Sequence, residues 1–150
     1  MTEIVRFEES VRAAFDGLFV RYFIDDLPEE VIRAKICPFL FESWKRGVME
    51  IFLARGEDRH IGFGICQIDR PESDWCKRPG WGFIREFYVD PAFRRRGVGR
   101  ALCARIEDRL REMGAARAYL TSGGAVPFWL ALGYADSGER TPEGLLYLEK

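Results

Sequence analysis

The stretch DPAFRRRGVGRAL, residues 90–102, sets four arginines (Arg94, Arg95, Arg96 and Arg100) around two glycines, Gly97 and Gly99. An apolar run precedes it and an amphipathic run follows, so the cluster falls where a strand gives way to a helix. The first turn of a helix leaves backbone N–H groups without intrahelical partners, and these carry positive partial charge. A phosphate satisfies them, glycine lets it approach the main chain, and arginines add charge-assisted hydrogen bonds. The spacing is neither a GxxxxGK[ST] loop nor a GxGxxG fingerprint, because Leu102 stands where the third glycine would be. On spacing alone, a solvated arginine turn ahead of an amphipathic helix is as good a reading as an anion cradle.

Composition narrows the rest. The chain has 150 residues, 47% of them hydrophobic and 31% charged, with a formal net charge of −1. That suits one soluble domain, residues 1–150, with a real core. The arginine cluster is therefore local, and without aromatic residues interleaved among basic ones it argues against nucleic-acid binding. His60 is the single histidine, so no His-rich metal site can be built and no metal is expected. Cys37, Cys66, Cys76 and Cys103 match no zinc spacing, and Cys66 and Cys103 read as buried core residues. The N-terminus MTEIVRFEES has no apolar signal core, and no run of eighteen apolar residues exists. No membrane span and a cytoplasmic location are expected.

The elements that must position the loop follow from periodicity. Residues 3–8 form a short strand. From Ser10, a plausible N-cap, Val11, Phe15, Leu18 and Tyr22 follow helical spacing. Pro28 ends that region and opens a second helix whose stripe runs through Val31, Ile32, Ile36, Leu40 and Trp44; Pro38 should kink or split it. Strands are expected over Val48–Gly56, His60–Ile68 and Trp81–Val89, with a polar loop, DRPESDWCKRPG, before the last. Gly62 and Gly64 weaken the second of these and can admit a neighbouring backbone. From Gly97 to Met113 the stripe Val98, Leu102, Ile106, Leu110 and Met113 marks a helix, with Gly114 just past its end. A strand over Ala115–Ser122, a short helix in AVPFWLALGY and a final strand in GLLYLEK complete the chain. The order is β, α, α, β, β, β, α, β, α, then at least one strand: an α/β (α+β) protein with a mixed sheet.

On these residues the chain resembles the GNAT N-acetyltransferase superfamily. Arg94-Arg95-Arg96-Gly97-Val98-Gly99 fills the family's [Q/R]-x-x-G-x-[G/A] acetyl-CoA motif, and AVPFWLALGY resembles its A-x-x-F-Y-x-x-x-G-F segment. The motifs cover roughly residues 81–134, with the strand ARAYLTS between them. The resemblance implies a GNAT-like, mixed but mostly antiparallel sheet of six to seven strands flanked by about four helices. It implies acetyl-CoA as co-substrate, with the backbone across Arg95–Arg100 on the pyrophosphate. It implies that the pantetheine arm lies along the strand ending Phe87-Tyr88-Val89, which parts from Ala115–Ser122. The cofactor-binding set it names is Phe87, Tyr88, Val89, Arg94, Arg95, Arg96, Gly97, Val98, Gly99, Arg100, Phe128 and Trp129.

Family members move an acetyl group directly to an amine, which must lose a proton before it can attack. An alkylamine has a pKa of about 10.4, so a general base is needed at neutral pH. Glu86 is the candidate base: strand alternation places it on one face with Ile84 and Tyr88. The competing reading is an ion pair between Glu86 and an arginine. The leaving thiolate needs little help, since a thiol pKa is about 8.5. Trp129 occupies the position where many relatives have tyrosine, and an indole N–H is not a proton donor near neutral pH. Ser122 is carried as the second catalytic candidate, with Tyr88 and Tyr134 beside it.

The acceptor, by resemblance, is a primary amine on a small molecule or a peptide. FIDDLPEE (residues 23–30) holds four acids that could attract a cation, or simply cap a helix start. Trp75 and Trp81 could wall a substrate pocket or cover the sheet. Exposed strands near the C-terminus could join two subunits into a homodimer. The alternative function is a coenzyme A sensor or partner-binding module with little activity.

Overall fold

A computed structural model describes residues 2–73 and 75–150. In chain order the elements are β1 (Glu3–Arg6), α1 (Arg12–Phe23), α2 (Glu29–Val31), α3 (Cys37–Lys45), β2 (Glu50–Arg55), β3 (His60–Ile68), β4 (Gly82–Val89), α4 (Val98–Glu112), β5 (Ala118–Ser122), α5 (Val126–Ala131), β6 (Ala135–Arg140) and β7 (Leu146–Glu149). The seven strands form one mixed sheet in the order β1-β2-β3-β4-β5-β7-β6. β4 and β5 pair in parallel, at Gly82 with Ala118 and Phe83 with Tyr119. The pairs β1–β2, β5–β7 and β6–β7 are antiparallel.

Two boundaries are sharpened and one strand is added. The α-helix is interrupted ahead of Pro38, and α3 restarts with that proline in its first turn. A π-helical turn, Ile32–Ile36, joins α2 to α3, and the Cys37 N–H reaches back five residues to the Ile32 carbonyl. The widened turn sits just before the proline and absorbs the missing donor and the ring's steric demand. The strand expected from Ala115 begins at Ala118, because Ala115 N–H is spent on the Leu110 carbonyl at the end of α4. β6 was not foreseen. Its sequence ADSGER is exposed throughout and has no strand period; pairing with β7 makes it a strand.

The chain divides into two compact units, Met1–Ile65 with Glu86–Ile106, and Cys66–Arg85 with Glu107–Lys150. In the first, a core of aromatic and aliphatic side chains gathers Phe15, Leu18 and Phe19 of α1, Leu40 and Phe41 of α3, Ile51 and Leu53 of β2, and Phe63 and Ile65 of β3. Edge-to-face rings run through it, Phe15 on Phe63 at 5.2 Å and Phe7 on Trp44 at 4.7 Å, a geometry the ring quadrupoles favour. A second cluster joins Ala54, Ile61, Val89 and Val98, with Phe87 and Phe93 packed against it. It seats the start of α4. A Cβ on Gly64 would collide with Ile106 Cδ1, and one on Gly62 would stand 2.7 Å from the Tyr88 carbonyl, so these glycines admit a helix and a neighbouring strand.

In the second unit, Asp69 pins the loop ahead of β4. Its buried Oδ2 accepts from Tyr119 Oη at 2.6 Å and from the Lys77 and Arg78 N–H groups, each at 2.8 Å. Arg78 then lies against Tyr147 and Tyr119, 4.7 and 5.0 Å from their ring centroids, and bridges to Glu139 and Glu149. Trp75 and Trp81 pack on Phe83, Tyr119 and Tyr147, which is the sheet-covering reading of those two indoles.

Among the described residues, no helix is long and apolar enough to cross a membrane, and no group of three or more His, Cys, Asp or Glu could hold a metal ion.

Candidate active site

β4 delivers the chain to the arginine turn through Asp90. Its backbone N–H donates to the Ile61 carbonyl at 2.8 Å, and its Oδ1 accepts from Ala92 N at 2.9 Å. This caps the one-turn 3₁₀ helix Pro91–Phe93, a role suited to a short acceptor side chain. Arg21 and Arg59 approach Asp90 Oδ2 at 3.2 and 4.0 Å. Arg94 folds back rather than outward: its Nε donates to the Val89 carbonyl at 2.8 Å, and its guanidinium lies 5.9 Å from the Tyr88 ring. Arg96 and Arg59 lie 5.4 and 4.9 Å from the Phe93 ring.

Two residues then turn the main chain through the left-handed region, Arg95 at φ 64° and Gly97 at φ 81°. Glycine adopts that conformation freely; arginine does so at a cost of roughly 1–2 kcal/mol. Left-handed residues in a turn of this kind are what lets a backbone present successive N–H groups to an anion, the arrangement called a nest. The Ala101 N–H donates to the Gly97 carbonyl at 3.0 Å, closing the first turn of α4. The N–H groups of Val98, Gly99 and Arg100 lie ahead of that bond, where no intrahelical acceptor exists. Val98 is buried and holds the helix start in place, while Arg95, Arg96, Gly97 and Arg100 are exposed. A Cβ on Gly97 would meet nothing within 4 Å.

Four residues before Asp90, Glu86 projects toward α1 and accepts a hydrogen bond from Tyr22 Oη at 2.7 Å. Tyr22 is wedged between Phe19, Phe63 and Tyr88, with centroids 5.5, 5.5 and 5.7 Å away. Burial, then the Glu86 charge beside it, pushes the Tyr22 hydroxyl well above its ordinary pKa, so it stays a donor. The face expected from strand alternation holds: Tyr88 joins the same core as Tyr22. Tyr22 was not among the sequence candidates. Its place in the helical stripe reads as core, and only its hydroxyl, 64 residues away from Glu86, carries the second role.

The expected residues fall into two sets. Glu86, Phe87, Tyr88, Val89 and Arg94–Arg100 belong to the first unit, while Ser122, Phe128 and Trp129 belong to the second. Ser122 is buried at the end of β5. Trp129 is buried edge-on to Tyr134 at 5.4 Å and to Phe128 at 4.9 Å. Tyr134 donates to Glu107 Oε2 at 2.8 Å and is itself buried, which ties up its hydroxyl. The acids of residues 23–30 are exposed, and Glu29 bridges to Arg33, in keeping with a helix-start role.

A seven-stranded mixed sheet whose strand β4 leads through an arginine-glycine turn into α4 defines an α/β fold. Residues 12–134 match the acetyltransferase (GNAT) family, and the chain belongs to it. Solved structures of that fold superpose over nearly its whole length. One is the aminoglycoside N-acetyltransferase AAC(6')-Iy in complex with the bisubstrate analogue CoA-S-monomethyl-acetylneamine, with TM-score 0.77 and 19% identity, covering 94% of this chain and 95% of that one. A second is the PaiA N-acetyltransferase of Thermoplasma acidophilum with coenzyme A, with TM-score 0.74 and 15% identity, covering 100% and 98%. A third is PH1933 of Pyrococcus horikoshii OT3, with TM-score 0.75 and 23% identity, covering 100% and 98%. No curated protein matches the chain in sequence.

Proposed function

We propose that the 150 residues act as one acetyl-CoA-dependent N-acetyltransferase domain whose acceptor is a primary amine on a small molecule or peptide. The observation that carries this is the nest at Arg95 and Gly97, open at the Gly97 Cβ position and joined by one strand to Glu86. The open position and the unpartnered first turn of α4 fit a pyrophosphate. Bound acetyl-CoA supplies an activated acetyl thioester, whose C–S bond breaks as the amine gains its C–N bond. The N–H groups of residues 97–100 and the exposed arginines Arg95, Arg96 and Arg100 hold the phosphates. Phe87, Tyr88 and Val89 offer strand backbone to an amide-bearing arm.

Glu86 takes the proton that the ammonium must lose, directly or through water. The hydrogen bond from Tyr22 Oη fixes the position of that carboxylate. The thiolate is a tolerable leaving group at a thiol pKa of about 8.5, so solvent can return its proton. Ser122 as donor, and Phe128 and Trp129 as coenzyme contacts, rest on the family resemblance. The structural neighbours named as aminoglycoside acetyltransferases support an amine acceptor of the small-molecule kind.

The test is thermal unfolding with acetyl-CoA, followed by thiol release with a panel of amines: neamine, n-propylamine and a lysine peptide. Saturation a hundredfold above Kd stabilises by about 2.7 kcal/mol, or roughly 5–10 °C for a chain of this size. A shift with turnover that falls in Glu86→Gln supports the reading. A shift without turnover indicates the coenzyme sensor, for which Trp129 in place of tyrosine speaks. No shift at millimolar acetyl-CoA refutes both.

A further inference from the structure

The last turn of α1 carries two consecutive side chains, one gripping β4 and the other the residue that follows it. Arg21 Nη2 stands 3.2 Å from Asp90 Oδ2, and Tyr22 Oη stands 2.7 Å from Glu86 Oε1. Glu86 and Asp90 are four residues apart, about 13 Å along an extended strand. The grips are unlike in kind. Asp90 is buried, and its other carboxylate oxygen caps the turn that leads into the arginine-glycine nest. Tyr22 is locked among Phe19, Phe63 and Tyr88, so its hydroxyl has little freedom to leave Glu86.

We infer that Arg21 and Tyr22 are positioning residues for two separate functions of one strand: Arg21, through Asp90, sets the phosphate-binding turn, and Tyr22, through Glu86, sets the proton acceptor. This rests on the reading above, that the nest binds acetyl-CoA and that Glu86 is the base. Arg59 supports the first grip at 4.0 Å from Asp90 Oδ2. A helix that held the strand only by packing would show no such division. Loosening either residue would then disturb coenzyme affinity and turnover together.

Two double-mutant cycles test the division, with acetyl-CoA affinity read by calorimetry and kcat read with whichever panel amine turns over fastest. Arg21→Gln should weaken acetyl-CoA binding about two- to fivefold, as expected for a half-exposed ion pair, and leave kcat unchanged. Arg21→Lys should restore most of that loss. Tyr22→Phe should lower kcat about tenfold, the loss of a hydrogen bond to a charged group, and leave acetyl-CoA affinity unchanged. In an Asp90→Asn background Arg21→Gln should have no further effect, and in a Glu86→Gln background neither should Tyr22→Phe. Each of the single variants keeps the apolar core, and an unfolding midpoint near that of the parent confirms folding.

Additive losses in either cycle, or losses of affinity and kcat together in both single variants, overturn the inference while Glu86 and the nest stand. An unchanged kcat in Glu86→Gln, or no turnover with any amine, instead refutes the base assignment and removes the Tyr22 half with it. The Arg21 half is then decided by binding alone.

Discussion

Gly97 separates backbone geometry from ligand contact. Its φ of 81° is one that L side chains rarely adopt, and a Cβ there would enter open space. Gly47, between α3 and β2, has φ 76° and likewise nothing within 4 Å of an added Cβ. Alanine at either site should therefore cost the same left-handed strain, about 1–2 kcal/mol, which lowers the unfolding midpoint by roughly 2–8 °C. With the coenzyme phosphates seated on the turn as proposed, only at Gly97 would the methyl group, or the turn's relaxation away from the left-handed region, take an N–H from a phosphate oxygen. A hydrogen bond to a charged group contributes about 1.5–3 kcal/mol, so the Kd for acetyl-CoA should rise about 10- to 100-fold in Gly97→Ala. Gly47→Ala should bind like the parent. Calorimetric titration of both variants, beside thermal unfolding without ligand, gives the comparison. Equal midpoints and equal acetyl-CoA affinity in the two variants would refute the nest as the phosphate site.

Four further outcomes are expected. Gly64→Ala drives a methyl group into Ile106 and should destabilise the fold by about 1–3 kcal/mol in urea denaturation, with a smaller loss when Ile106 is shortened to valine. Tyr119→Phe leaves the buried Asp69 Oδ2 with its two backbone donors but no hydroxyl, and should cost about 1.5–3 kcal/mol by the same assay. Burial, then the charge of Arg55, lowers the His60 pKa below 6.5, so the unfolded chain takes up the proton first. Stability should therefore fall as pH drops below about 6.5, level off once the folded-state pKa is passed, and lose that slope in His60→Gln followed by thermal unfolding across pH. Burial and the neighbouring Asp16 push the Cys37 thiol up to about 12, so mass spectrometry should find Cys37 unalkylated by iodoacetamide at pH 8 until the chain unfolds.

The patterns that were legible are those that a few neighbouring residues carry. Val98, Leu102, Ile106 and Leu110 recur every four residues, and all four are buried along α4. β3 spans the residues that its apolar run marked, His60–Ile68, because a continuous apolar strand needs no partner to be recognised. The glycine-arginine turn announced itself in the same way: it breaks one period and starts another. β6 could not be read, since ADSGER gains its strand conformation only from β7, and Pro38 marked an interruption without telling that a widened turn would make it.

The order of residues is enough to place the helices and most strands, to mark their apolar stripes, and to show that positive charge and glycine meet at a helix start. Those properties follow from periods of two and 3.6 residues and from side-chain chemistry, which are local. Only the tertiary structure put Arg95 in a left-handed conformation, brought Tyr22 to Glu86 across 64 positions and Tyr119 to Asp69 across 50, and set Arg21 on Asp90. No period encodes a contact between distant segments. It exists because each segment buries its apolar face against a particular neighbour, and the polar atoms carried along must then find partners with one another.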